Sequence, residues 1–297
     1  MNIAEIYESH YLPEKSKKRR PSTVAGYDSS VRLHVLPRWG SCEIEDIDPD
    51  DLQDWVDSFD LPGSAQKAFK CLRQIIRWWI RKKRLRIYDP TVYVELPELE
   101  PYEHEALEAD ETVQILRGMW GHWTEAVTIC AVTLGLRRSE ACALEWSDIN
   151  LKTGEVRVCK TRQCVRGEII TGKTKTKKAT RSCWLPRFAV RRLRQIKGTG
   201  LLTGDVSPDK VARAIKSWCK RNLLPHVSMT NLRHTWGTLA TEAGVGIETV
   251  SMMLGHTNIM TAYDHYIVRR KTICVAAQEH VEKHLFAHAP KQMPMAA

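Results

Sequence analysis

A chain of 297 residues is long enough for two domains, each able to bury its own core. Lys and Arg total 45 against 35 for Asp and Glu, and the formal charge of +10 favours an anionic partner, nucleic acid first and an anionic membrane surface second. Hydrophobic residues at 43% exclude a disordered basic tail, and neither a secretion signal nor an apolar run near the roughly 18 residues that span a bilayer is present, so a soluble, intracellular chain is expected.

Residues 1–96 read as a helical domain. The basic run KSKKRR (15–20) precedes a helix opening at Pro21-Ser22, with Val24, Tyr27, Val31 and Val35 at helical spacing and Pro37 as its end. Asp48 and Pro49 supply a cap and first turn for a helix burying Leu52, Trp55, Val56 and Phe59. Gly63-Ser64 opens the next helix, SAQKAFKCLRQIIRWWIRKKRLR, with an apolar stripe of Phe69, Leu72, Ile76 and Trp79. One position over, about 100° around the helix, Lys70, Arg73, Arg77, Arg81 and Arg84 form a cationic stripe. A charge run is ordinarily a solvated face, but like charges at these spacings repel. A polyanion partner relieves that repulsion, and these five are the candidate DNA-binding residues of this half.

The stretch ELPELEPYEHEALEADE (95–111) is acidic and carries Pro97 and Pro101, which suits an extended connector. The linker is placed at 97–108 and a second domain at 109–297. Helical patterns there run over 110–119, 122–134 and 138–145. Strand-like runs follow at Glu155 to Lys160, Ile169 to Thr171 and Ser182 to Leu185, with the basic tip GKTKTKKATR between the last two. Helices resume over 187–197, 208–221, 231–243, 247–253 and 259–268, with Gly244 and Gly255 at helix stops. The fold class expected is α+β, mostly α with a small β-sheet.

Nine cysteines are scattered without a CxxC pair, which favours reduced core residues over disulfides or zinc. His280, His284 and His288 fall on one helical stripe, and without a nearby cysteine or carboxylate cluster they read as a polar face. No metal and no cofactor is expected.

Three separated segments carry the chemistry: TLGLRRSEACALEWSDIN (133–150), TNLRHTWGTLATEAG (230–244) and LGHTNIMTAYDHYIVRR (254–270). Their order and spacing resemble the tyrosine recombinases of the phage-integrase type over nearly the whole chain. The first box, T-G-x-R-x-x-E followed by Leu, Trp and Asp, is matched by Leu134 to Glu140 with Leu134 in place of Thr, then by Leu144, Trp146 and Asp148. The second, H-x-L-R-H-T, is matched by Thr230 to Thr235, and the third by Leu254-Gly255-His256 with Tyr266 ten residues after the histidine. The family has a helical, SAM-like core-binding domain ahead of its catalytic domain. The chain opens at the core-binding region, so the family's optional arm-binding domain is expected to be missing.

The resemblance implies that Tyr266 attacks a phosphodiester, giving a 3′-phosphotyrosyl link and a free 5′-hydroxyl. Charge then grows on the non-bridging oxygens, where two guanidiniums make a suitable planar clamp. Arg137 and Arg233 are those candidates, with His234 and His256 as donors to the same oxygens or to the nucleophile. Glu140, three residues after Arg137, reads as a supporting group. The leaving 5′-oxygen needs a general acid; the hairpin Lys175 to Arg181 resembles the family's K-T-K-x-S-x-R, so Lys175 takes that role, with Lys173 second. Lys173, Lys177 and Lys178 are candidate phosphate contacts. Thr230 stands where the family usually has His; its hydroxyl can bond phosphate but cannot shuttle a proton near pH 7, and it also suits a helix N-cap. Tyr263, seven residues after His256, is assigned to packing.

The expected partners are double-stranded DNA with specific recombination sites, three further copies in a homotetramer on DNA whose tails (about 272–288) dock onto neighbours, and accessory DNA-bending proteins, with no membrane. The expected role is integrating or excising a phage or mobile element in the cytoplasm, associated with the nucleoid. The alternatives are a catalytically decayed architectural or regulatory DNA-binding protein, which Thr230 supports, and a type IB topoisomerase-like relaxing enzyme.

Overall fold

The computed structural model describes residues 1–100, 105–174 and 180–255, with Asn258 and Met260. The chain divides into two compact units, Met1–Tyr102 with Val165–Glu168, and Glu103–Cys164 with Ile169–Ala297. It is mostly helical with small antiparallel sheets.

In the first unit, α1 (Ile3–Glu5), a π-helical stretch (Ile6–Tyr11) and α2 (Leu12–Lys18) run on from one another. Next come α3 (Pro21–Ser30), a second π-helical stretch (Val31–Val35) and α4 (Leu36–Trp39), then α5 (Pro49–Asp57) and α6 (Pro62–Lys83). Asp48 caps α5 by accepting a bond from the Asp50 amide at 2.7 Å. α6 buries Phe69, Leu72, Ile75, Ile76 and Trp79 against Ile3, Ile6, Tyr7, Val31 and Val35, one contiguous core. Two phenols are anchored: buried Tyr7 donates to Asp28 at 2.9 Å and half-buried Tyr27 to the Cys71 carbonyl at 2.7 Å.

Pro37 does not end its helix as the sequence suggests. A proline inside an α-helix lacks a donor and strikes the carbonyl four residues back. Here the preceding turn is π-helical and the Leu36 amide bonds the Val31 carbonyl, so the wider turn carries the chain past Pro37 to Gly40.

The second unit runs through α7 (Ala109–Gly118), α8 (Glu125–Leu134) and α9 (Arg138–Ala141), shorter than the 138–145 pattern suggests. Among the described residues the strands are β1 (Glu155–Val158), β2 (Lys160–Val165), β3 (Glu168–Lys173) and β4 (Arg181–Trp184). β1 pairs with β4 in antiparallel register, Glu155 opposite Trp184 and Val158 opposite Arg181, while β2 pairs with β3. The expected single strand over 155–160 is thus two, divided at Cys159. A tight turn at Arg166-Gly167, both at positive φ (53° and 85°), closes the β2–β3 hairpin.

Among the described residues, four helices follow: α10 (Arg187–Gln195), α11 (Pro208–Arg221), α12 (Met229–Glu242) and α13 (Ile247–Leu254). α8 is buried on nearly every side, and α12 packs along it. Gly244 and Gly255 close α12 and α13 at φ 80° and 67°. Cys71, Cys130, Cys142, Cys183 and Cys219 are buried free thiols. Among the described residues no helix is long and apolar enough to cross a membrane and no group of His, Cys, Asp and Glu could hold a metal ion. His280, His284 and His288 lie outside them.

Gly135 ends α8 at φ 60°, and a Cβ there would lie 2.5 Å from Leu254 Cδ2 and 3.1 Å from Trp236 Cε3. Gly135→Ala is expected to lose about 2 kcal/mol or more, from left-handed strain and from overpacking against α12 and α13. A urea midpoint unchanged from wild type would contradict this.

Candidate active site

The three motif segments meet at the C-terminal ends of α8 and α13. Arg233, on the inner face of α12, is buried, and its Nη1 donates to the Gly135 carbonyl at 2.7 Å and its Nη2 to the Leu254 carbonyl at 2.9 Å. Both acceptors lie at helix ends, where carbonyls lack intrahelical partners and the helix dipole is negative. A buried cation suits that position.

Arg137 lies two residues beyond Gly135. It precedes α9 in extended conformation (φ −66°, ψ 148°) rather than inside a helix. Its Nη2 donates to the Gly255 carbonyl at 3.2 Å and its Nη1 to Glu140 Oε1 at 2.9 Å. The Arg137 side chain keeps 40% of its surface exposed, so a ligand can reach it, while Glu140 beneath it keeps 2%.

Arg181, the first residue of β4, supplies a third guanidinium. It donates from Nη2 to Glu140 Oε2 at 3.1 Å and from Nε to the Met253 carbonyl at 2.8 Å. Sequence reading placed Arg181 at the end of the hairpin pattern but gave it no role; the available signal was a lone cation opening the apolar run Ser182 to Leu185. Burial pushes the Glu140 pKa up, but Arg181 and then Arg137 outweigh it and hold this carboxyl below its ordinary value.

His234 follows Arg233 on α12 and is buried, and Thr235 Oγ1 accepts the Leu107 amide at 3.0 Å. Thr230 is not the N-cap. Ser228 caps α12 by accepting the Asn231 amide at 3.1 Å, because the helix begins two residues earlier, around buried Val227 and Met229. Thr230 therefore sits exposed in the first turn. Lys173 is exposed at the end of β3, and the Thr174 and Thr180 hydroxyls lie 2.9 Å apart. Lys175, Lys177, Lys178, His256, Tyr263 and Tyr266 lie outside the described residues.

The first unit has a second cationic feature. Lys15 and Arg19 at α2 face Arg73, Arg77 and Arg81 of α6 across a cleft of about 350 Å³ floored by Tyr11 and Trp78. Burial, then neighbouring Arg19, lowers the Lys15 pKa below the ordinary ammonium value. Lys70 is exposed on α6, the Arg73 guanidinium lies 5.5 Å from the Phe69 ring centre, and Arg77 pairs with Asp89 at 2.7 Å. Arg84 falls off the stripe, since the chain turns left-handed there (φ 52°) and leaves the helix. Sequence reading noted the KSKKRR run without naming Lys15 or Arg19 as site residues.

Residues 105–272 match the phage integrase family, and residues 4–59 match the phage integrase N-terminal SAM-like domain. The XerC-like tyrosine recombinase of Caldanaerobacter subterraneus subsp. tengcongensis is 24% identical over 310 residues, covering 86% of this chain and 77% of that protein. Tyrosine recombinase XerC of Proteus mirabilis is 27% identical over 221 residues, covering 69% and 68%. Among solved structures, the Tn1549 transposon integrase in complex with transposon right end DNA superposes with a TM-score of 0.77 at 14% identity, covering 95% of this chain and all of that one. A lambda integrase tetramer bound to a Holliday junction gives 0.68 at 17%, covering 91% and 79%. At such identities the structural likeness is one of fold.

Fold and relatives together define a site-specific recombinase of the tyrosine type. The chain belongs to the phage integrase family.

Because the Glu140 pKa is lowered on folding, its stabilising contribution is full above the ordinary glutamate value of about 4.3 and fades as pH falls through its lower folded value. Glu140→Gln is expected to cost about 3 kcal/mol at pH 7, since it leaves the Arg181 guanidinium buried without its counter-charge. The gap between wild type and variant should narrow below about pH 4, as read by urea denaturation across pH. A gap independent of pH would contradict the ion-pair account.

Proposed function

We propose that the chain cleaves and rejoins double-stranded DNA at specific recombination sites through a 3′-phosphotyrosyl intermediate, integrating or excising a phage or mobile element. The observation that carries this reading is the convergence of three distant motifs on one turn: Arg233 on the carbonyls of Gly135 and Leu254, and Arg137 on that of Gly255, next to His256 in sequence. Such packing gives two guanidiniums a common station, and one of them is open to solvent.

In this reading Tyr266 gives its phenolic proton to water as its oxygen attacks phosphorus, and the 5′-oxygen leaves. Arg137 and Arg233 counter the charge that develops on the non-bridging oxygens, and fixed donors do this without reorganising. His234 and His256 donate to the same oxygens, and Thr230, exposed at the start of α12, adds a hydroxyl in place of the family's imidazole. Lys175 gives its proton to the departing 5′-oxygen, and Thr174, its neighbour in sequence, bonds the hydroxyl of Thr180, which directly precedes Arg181 of the site. A 5′-hydroxyl of the partner strand then attacks the phosphotyrosine and releases Tyr266. The covalent link conserves the phosphoester bond energy, so the cycle calls for neither a metal nor a nucleotide.

Lys70, Arg73, Arg77 and Arg81 of α6, joined by Lys15 and Arg19 across the cleft, would hold phosphates. Lys173, Lys177 and Lys178 would do so on the catalytic side. Four copies on two sites, as in the lambda integrase tetramer on a Holliday junction, make the assembly in which strands can exchange, in the cytoplasm with the nucleoid.

A nicked suicide duplex carrying the recombination site is expected to trap a covalent adduct, resolved by denaturing gel. Tyr266→Phe should abolish it; an adduct lost instead in Tyr263→Phe would move the nucleophile, and no adduct from wild type would leave a DNA-binding protein without chemistry. Arg137→Ala should slow adduct formation about 10²- to 10³-fold while duplex binding in a gel shift stays within a few-fold. An equal loss of binding would make Arg137 an anchoring residue instead.

A further inference from the structure

One outward stripe of α6 consists of Lys67, Lys70, Gln74, Arg77 and Arg81, all exposed and spaced three or four residues apart. Gln74, at its centre, is the uncharged member. With a rise of 1.5 Å per residue the stripe is about 21 Å long, and its nearest cations sit about 6 Å to one side of Gln74 and about 4.5 Å to the other.

Gln74 also lies where two clefts meet. The first is the cationic cleft against Lys15 and Arg19. The second, about 520 Å³, is lined by Ser22, Thr23, Gln66 and Lys70 and contains no acidic residue. Gln74 is held from the floor of the first cleft, since the Tyr11 hydroxyl donates to its Oε1 at 3.4 Å. That bond uses one lone pair of Oε1 and neither N–H of the amide.

We propose that Gln74 reads the edge of an adenine in the major groove of the bound duplex, while the flanking cations of its stripe grip phosphates on either side. The inference rests on the DNA-binding reading above. Contacts to phosphate position a protein but carry no sequence information, so the stripe's cations cannot choose a site by charge alone. A glutamine amide can: its Oε1 accepts from adenine N6 while its Nε2 donates to N7. The second lone pair of Oε1 makes this compatible with the Tyr11 bond. The major groove, about 12 Å wide, admits an α-helix side-on, and the 22 residues of α6 provide the length.

The test is selection of binding sites by the full chain from a randomised duplex library. Wild type is expected to enrich a motif with a fixed adenine. Gln74→Ala should enrich the same motif with that one position relaxed, discrimination there falling about 5- to 150-fold. Gln74→Glu should move the preference there to cytosine, whose N4 donates to a carboxylate. Retention of the whole motif by Gln74→Ala overturns the proposal, as does a loss spread evenly over all positions, which marks a backbone contact. If wild type retains no duplex, the DNA-binding reading itself fails and this one falls with it.

Discussion

The bonds from Arg233 to the carbonyls of Gly135 and Leu254 set the rest of the second unit's candidate site. Burying a guanidinium costs several kcal/mol before compensation, and hydrogen bonds involving a charged group return about 1.5–3 kcal/mol each. Two helix C-termini must therefore stand at the right distance from α12. That requirement explains why both helices end on left-handed glycines, since a side chain at Gly135 would push Leu254 and Trp236 away. It also places the Gly255 carbonyl for Arg137 and the Met253 carbonyl for Arg181, and the carboxylate of Glu140 joins those two guanidiniums underneath.

The net positive charge is thus spent in two physical regimes. On α6 and across from it at α2 the cations are mostly exposed, so salt screens them, and on the proposed reading they would act collectively on a polyanion. Around Glu140 the guanidiniums are directed by buried acceptors, and Arg181 and Arg233 are largely withdrawn from solvent. The first arrangement suits capture, the second geometry. Arg137 stands between them, tethered by two acceptors yet open on its outer side.

Periodicity made much of the fold legible. The α11 bounds match the sequence reading residue for residue, and the Phe69, Leu72, Ile76 and Trp79 stripe is buried as a unit. What escaped were features set by neighbours in space. Pro37 reads as a helix stop unless the π-helical turn before it is known. Thr230 reads as a cap until the burial of Val227 and Met229 moves the start of α12 back to Ser228. Arg84 continues a sequence pattern that the backbone abandons at that residue. Arg181 gains its meaning from Glu140, 41 residues away, a relation that no local window contains.

The convergence of motifs has a kinetic side. Arg233 finds its Gly135 acceptor 98 residues back along the chain, and Arg137 finds Gly255 118 residues ahead. Contacts of such separation form only after long loops have closed, and the entropy of closure is met before the contacts repay it. The guanidiniums are therefore among the last groups to reach their stations. On the ribosome, a chain synthesised only as far as α12 holds every arginine of the site but lacks the α13 carbonyls that orient them. Such a nascent chain already presents the cations of α6, so on the proposed reading adhesion to nucleic acid becomes available during synthesis before the arginines around Glu140 are oriented.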